Sequence, residues 1–162
     1  MIVVVSDTSP IRAFAHVERL DVLSALFERV LIPPAVEEEL LHPRTAETAV
    51  DVSRFPFIEV RQPSDRVGVE RLEQELDRGE SEALTLALEV TAGAVLIDER
   101  AGRKVAQRLG LSVIGTLGTL LRAKERGHVG AVRPVLERLE SELGFFVSVP
   151  LRALVLRRAG ED

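Results

Sequence analysis

The chain has 162 residues, no cysteine, three histidines and a formal charge of −5. These numbers exclude disulfides, thiolate nucleophiles and cysteine-ligated zinc, and His16, His42 and His128 are too scattered to form a histidine metal motif. No apolar run approaches the roughly 18 residues of a membrane span and no secretory leader pattern opens the chain, so one cytoplasmic domain over residues 1–162 is expected.

The first element is the β-branched run at 2–5, a strand buried on both faces because it lacks polar alternation. A helix is expected over 10–17, with Ser9 as its N-cap and Pro10 at its first position. A second helix at 21–27 puts Val22, Leu23 and Leu26 on one side. A strand at 30–32 leads through Pro33 into a helix over 34–41, with Val36 and Leu40 one turn apart. Residues 46–52 read as a short helix and 57–60 as a third strand. The charged, amphipathic 67–76 precedes GESEALTLALEV, a helix over 79–90 that is apolar on most faces and therefore buried. Residues 95–97 and 112–114 complete five strand-like runs. Helices over 102–109 and 117–126 each meet a glycine, Gly110 and Gly127, as helix ends often do. Helices over 129–143 and 151–158 close the chain. Strands alternating with helices mean an α/β fold with a mainly parallel sheet.

In such a sheet ligands bind beyond the carboxyl ends of the strands. Asp7 stands just past the first strand, and Asp98 with Glu99 just past the fourth. Glu39 lies on the helix after the second strand. Glu82 opens the apolar helix leading into the fourth, where an unpaired buried carboxylate is costly. Each acid has an ordinary explanation taken alone: a cap, a turn residue, a solvated face, or a favourable charge at a helix N-terminus. Taken together they need a cation, because clustered carboxylates cannot all ionise without one. Oxygen ligands suit a hard ion such as Mg²⁺ or Mn²⁺. Such an ion lowers the pKa of a water and braces attack on phosphorus. With no Cys nucleophile, no His base and no phosphate-cradling glycine loop, the acids point to metal-assisted phosphodiester hydrolysis.

Charge is uneven along the chain. Residues 1–97 carry nine basic and 18 acidic side chains, residues 98–162 carry 12 basic and eight acidic ones. A basic half beside an acidic cluster suits a substrate with phosphates; charge spread unevenly over a solvated surface is the other reading. Arg100, Arg103, Lys104 and Arg108 follow Asp98 and are candidates for contacting such phosphates, or equally for ordinary helix-surface solubility. A receiver-type phosphoacceptor is excluded by Ser6 before Asp7 and by the absence of a lysine directly after the fifth strand. A phosphatase of the Asp-x-Asp type is excluded by Ser9.

Five segments, VVSDTSPI, IPPAVEEEL, LDRGESEALTLALE, VLIDERAGRKVAQRLGL and VIGTLGTLLRAKERG, occur in that order. Together they resemble the PIN-domain nucleases, in the branch close to VapC-type toxins. The resemblance runs from Val3 to about Gly127 and continues more weakly through FFVSVPLRALVLRRAG. It implies a PIN-like three-layer fold, a parallel five-stranded sheet with helices on both faces. It also implies an acidic Mg²⁺ or Mn²⁺ site that cleaves RNA. By resemblance Asp7 is the first acid, Glu39 the second, Glu82 the third and Asp98 the fourth, with Thr8 positioning water or phosphate. Where many members carry Thr-x-Asp, this chain has Asp98-Glu99-Arg100, so Glu99 is an alternative fourth ligand; Glu80 competes with Glu82. The branch further implies a type II toxin with a small antitoxin partner, and a homodimer. A non-catalytic binding or regulatory protein of the same fold is the alternative.

Overall fold

The computed structural model describes residues 1–44 and 48–162. Five strands form one parallel sheet: β1 (Val3–Ser6), β2 (Arg29–Ile32), β3 (Ile58–Val60), β4 (Ala94–Leu96) and β5 (Val113–Ile114). Their spatial order is β3-β2-β1-β4-β5, so β1 is central. Val4 of β1 pairs with Val30 on one side and Ala94 on the other. All five expected strands form, within a residue or two at each end.

The lack of polar alternation has a direct structural counterpart. Val4, Val30, Ile32 and Leu96 face one core, while Val5, Leu31, Val95 and Ile97 face the other. The first core is covered by α1 (Thr8–His16), α2 (Asp21–Leu26), α3 (Pro34–Leu41), α7 (Thr116–Glu125) and α9 (Val149–Arg158). The second is covered by α4 (Arg66–Leu72), α5 (Arg78–Glu89) and α6 (Arg100–Arg108). The remaining helix, α8 (Arg133–Leu143), packs its Leu139 with Ala13 and Val17 from α1 and the residue that follows it. This is the expected three-layer α/β arrangement. Among the described residues, no helix is long and apolar enough to cross a membrane.

Four local expectations differ from the structure. The helix expected over 67–76 ends at Leu72 and is followed by turns. Helix α1 begins at Thr8, and Asp7, not Ser9, occupies its N-cap position. The Asp7 amide still donates to Leu96 O of β4 at 2.9 Å, so the chain passes from sheet to helix across one residue. The Ser9 hydroxyl is used elsewhere, in a contact with Asp98. Of the expected helix at 46–52, residues 46 and 47 lie outside the described residues. Residues 48–50 are not helical, and a 3-10 turn forms at Val52–Arg54, with the Asp51 carboxylate accepting from Ser53 N. Helix α8 starts at Arg133, four residues later than expected, with Pro134 in its first turn. Proline is pre-shaped for that position, because a first-turn residue needs no amide donor.

Candidate metal centre

The ends of β1, β4 and β5 and the starts of α1, α5, α6 and α7 meet at the carboxyl edge of the sheet. Asp7 leaves β1 there with extended backbone and no side-chain cap bond. Asp7 is 6% exposed. Burial pushes its pKa up to about 8 against the hydrogen bond from the Thr8 amide, and the charges of Glu80, Asp77 and Glu39 push the same way. These acids come from α3 and from the start of α5, elements far apart in sequence.

Helix α5 is held at its start by a capping box. The Asp77 carboxylate accepts from Glu80 N at 2.8 Å, and Glu80 Oε1 accepts weakly from Asp77 N at 3.4 Å. That leaves Glu80 Oε2 buried without a hydrogen-bond partner among the described residues. Burial raises the Glu80 pKa, and the charges of Asp77 and Glu99 add to it. Room for this carboxyl is made by Gly102 on α6, where a Cβ would lie 2.5 Å from Glu80 Oε2. Gly79 does the same for Glu39: a Cβ there would lie 2.7 Å from Glu39 Oε1. Two glycines thus let two helix backbones close around two carboxylates.

Glu39 is oriented from α1. Thr8 Oγ1 donates to its Oε2 at 2.7 Å, and Arg12 Nη2 donates to its backbone carbonyl at 3.1 Å. Asp98 is more fully engaged. Its Oδ1 accepts from Thr116 N at 2.7 Å, and its Oδ2 accepts from Thr116 Oγ1 at 2.6 Å and Ser9 Oγ at 2.9 Å. It therefore ties the ends of β1, β4 and β5 together. Glu82 is engaged with other groups. It is 2% exposed, accepts from Ala35 N in the first turn of α3 at 3.1 Å, and pairs with Arg78 at 3.2 Å. Of the two acids at the start of α5, the structure brings Glu80 to Asp7 and assigns Glu82 to the start of α3. Glu99 is exposed at the N-cap position of α6.

Asp7, Thr8, Glu39, Asp77, Asp98 and Glu99 line one cleft of about 1330 Å³. Arg100 and Arg103 line it too, and Arg103 Nη1 donates to Ile97 O at 3.1 Å. Lys104 is exposed on α6 outside the lining, and Arg108 pairs with Glu75 at 2.6 Å.

Residues 3–161 match the PIN-domain family DUF3368. The chain is a PIN domain. No curated protein matches it. PIN domains are typically nucleases, and PIN nucleases generally use divalent metals. Among the described residues no three carboxylate or imidazole side chains converge as a formed ion cage. What fits a cation is the chemistry of the donors. They are carboxylate oxygens, which suit a hard ion. One of them is an orphaned buried atom, and a buried carboxyl beside three acids is held largely protonated near neutral pH until positive charge arrives.

Sequence reasoning reached Asp7 and Glu39 through their places after β1 and on α3. It missed Asp77, Ser9 and Thr116. The Asp77-x-x-Glu80 spacing is a cap signal visible in the sequence, whereas nothing in Gly115-Thr116 announces that Thr116 will meet Asp98.

Proposed function

We propose that this PIN domain is a divalent-metal-dependent endoribonuclease. The observation that carries the reading is the buried group of Asp7 and Glu80, with Glu80 Oε2 unpartnered and Glu39 and Asp77 close by, at the open edge of the sheet. In this reading Asp7, Glu39 and Glu80 hold Mg²⁺ or Mn²⁺. Glu82 keeps its place between Arg78 and α3, and Asp98 serves through the hydroxyls it fixes.

A bound cation would neutralise the acids, polarise the phosphate and lower the pKa of a water. The chain's own residues prepare for that. Thr8 holds the Glu39 carboxylate in one rotamer. Asp98 locks the Ser9 and Thr116 hydroxyls, which fixes the first turns of α1 and α7 around the cleft. Arg100 and Arg103 place positive charge beside the acids, where phosphate oxygens need it. Asp7, once its proton is displaced, supplies the anionic oxygen that the other acids alone discourage.

Toxin activity within a type II toxin–antitoxin pair, with a small protein antitoxin and a homodimeric form, is proposed on the resemblance of the five motifs to VapC-type sequences. Mg²⁺-dependent cleavage of mixed RNA by the wild type and by Asp7→Asn tests the enzymatic reading. Cleavage by the wild type alone is expected. Equal silence of both, with no Mn²⁺ binding by calorimetry, overturns it. Growth arrest on induction, absent with Asp7→Asn, is the expected sign of a toxin.

A further inference from the structure

The cleft does not end at the acids. It continues along α7 and is closed on its far side by the segment running into α9. Phe146 lines it and is 88% exposed, with Leu151 and Leu154 beside it also open to solvent. A phenyl ring left in water at the lip of a cleft is not explained by folding, since burying it would stabilise the chain. Arg122 and Arg158 line the same stretch, exposed, and neither guanidinium has a hydrogen bond or ion pair among the described residues. Arg122 stands six residues beyond Thr116 on α7, about 9 Å along the helix axis.

We infer that this second half of the cleft is a binding wall for single-stranded RNA, in which Phe146 stacks on a base and Arg122 and Arg158 take phosphates flanking the cleavage position. The inference rests on reading the acids as the cleavage site. Unpaired cations beside an apolar ring are the combination that holds a single strand: the ring accepts a base face and the guanidinium groups accept the backbone. A duplex does not fit the chemistry, because its base faces are already covered by stacked neighbours. Charge also favours a nucleic acid over a protein. A protein partner would need carboxylates for Arg122 and Arg158 in a cleft whose other end is acidic. A polyphosphate strand meets arginines at one end and a cation held by the acids at the other.

The test is fluorescence anisotropy of a dye-labelled ten-nucleotide oligouridylate in EDTA, which separates binding from cleavage, across a salt series. Wild type and Asp7→Asn should bind alike. Phe146→Ala should weaken binding about tenfold or more with an unchanged unfolding midpoint, because the ring is outside the core. Arg122→Ala and Arg158→Ala should each flatten the logarithmic salt slope by about 0.7. The inference is overturned if the wild type does not bind the strand, or if Phe146→Ala binds as the wild type does. It is also overturned if Phe146→Ala changes only the mass in light scattering, which would make the wall a protein interface. Should wild type and Asp7→Asn prove equally unable to cleave while Phe146→Ala still loses binding, the nuclease reading falls and the binding wall stands.

Discussion

Replacing Asp7 by Asn should make the metal-free protein more stable at neutral pH, although it removes a proposed metal ligand. The Asp7 carboxyl is pushed up from 3.8 to about 8 in the folded chain. A carboxyl whose folded pKa is raised holds a proton that the unfolded chain has released. Its contribution is therefore most favourable below the unfolded pKa and is lost as pH climbs from about 4 to about 8. At pH 7 the unfolded group lies about three units above its own pKa, and at about 1.4 kcal/mol per unit the penalty is at most about 4 kcal/mol. Asn carries no such penalty and keeps the shape. At about 2–4 °C per kcal/mol for a chain of this size, Asp7→Asn should unfold several degrees higher in EDTA at pH 7. The gap should close towards pH 4 and stop widening above pH 8. Added Mg²⁺ should raise the wild type and leave the variant nearly unmoved. Thermal unfolding followed by circular dichroism from pH 4 to 9, with and without Mg²⁺, is the assay. A variant equal to or less stable than the wild type at pH 7, with a gap that ignores pH, would refute the account of Asp7 as a buried, repelled carboxyl.

Gly102→Ala should destabilise the chain by about 1–3 kcal/mol, since its Cβ would meet both Glu80 Oε2 and Ile97 Cδ1 at 2.5 Å. A gain of about 1 kcal/mol in urea unfolding, as helix propensity alone would give, would show that the pocket around Glu80 is looser than described. Thr116→Val keeps the shape and the amide bond to Asp98 but removes the hydroxyl bond; a loss of about 1.5–3 kcal/mol is expected for a bond to a charged group, with slower RNA cleavage. Unchanged stability and cleavage would mean that Asp98 does not depend on it. Glu161 staples the chain end to α7 and α8, accepting from Lys124 Nζ and from the Val132 and Arg133 amides. Burial opposes its ionisation, but these donors outweigh that and hold its pKa down at about 2. Its stabilisation is therefore present above about 4.5 and lost as pH falls towards 2. Glu161→Gln should cost about 1–2 kcal/mol at pH 7 and progressively less as pH drops; a cost independent of pH would contradict the ion pairing.

The five strands were legible because each is a short β-branched run bounded by turn residues, and a strand covered on both faces cannot alternate. Most helices were legible for the matching reason, a one-sided apolar stripe. The exceptions are local. Ser9 looks like a cap by residue type, yet a carboxylate 89 positions away takes its hydroxyl. The 46–52 stretch has helix-forming composition, but where the structure describes it no helix forms and only a 3-10 turn follows, with Asp51 bonding Ser53.

The sequence by itself determined the order of strands and helices and the places of Asp7, Glu39 and Asp98, because strand ends and helix starts are local features written in neighbouring residues. It did not separate Glu80 from Glu82. Two positions apart on a helix, they point in directions roughly 200° apart, and only packing decides which of them meets Asp7. The close approach of α6, permitted by Gly102, encloses Glu80 near Asp7, while the start of α3 and Arg78 claim Glu82. Which carboxylate lies beside Asp7 is thus a long-range event, set by which helices touch.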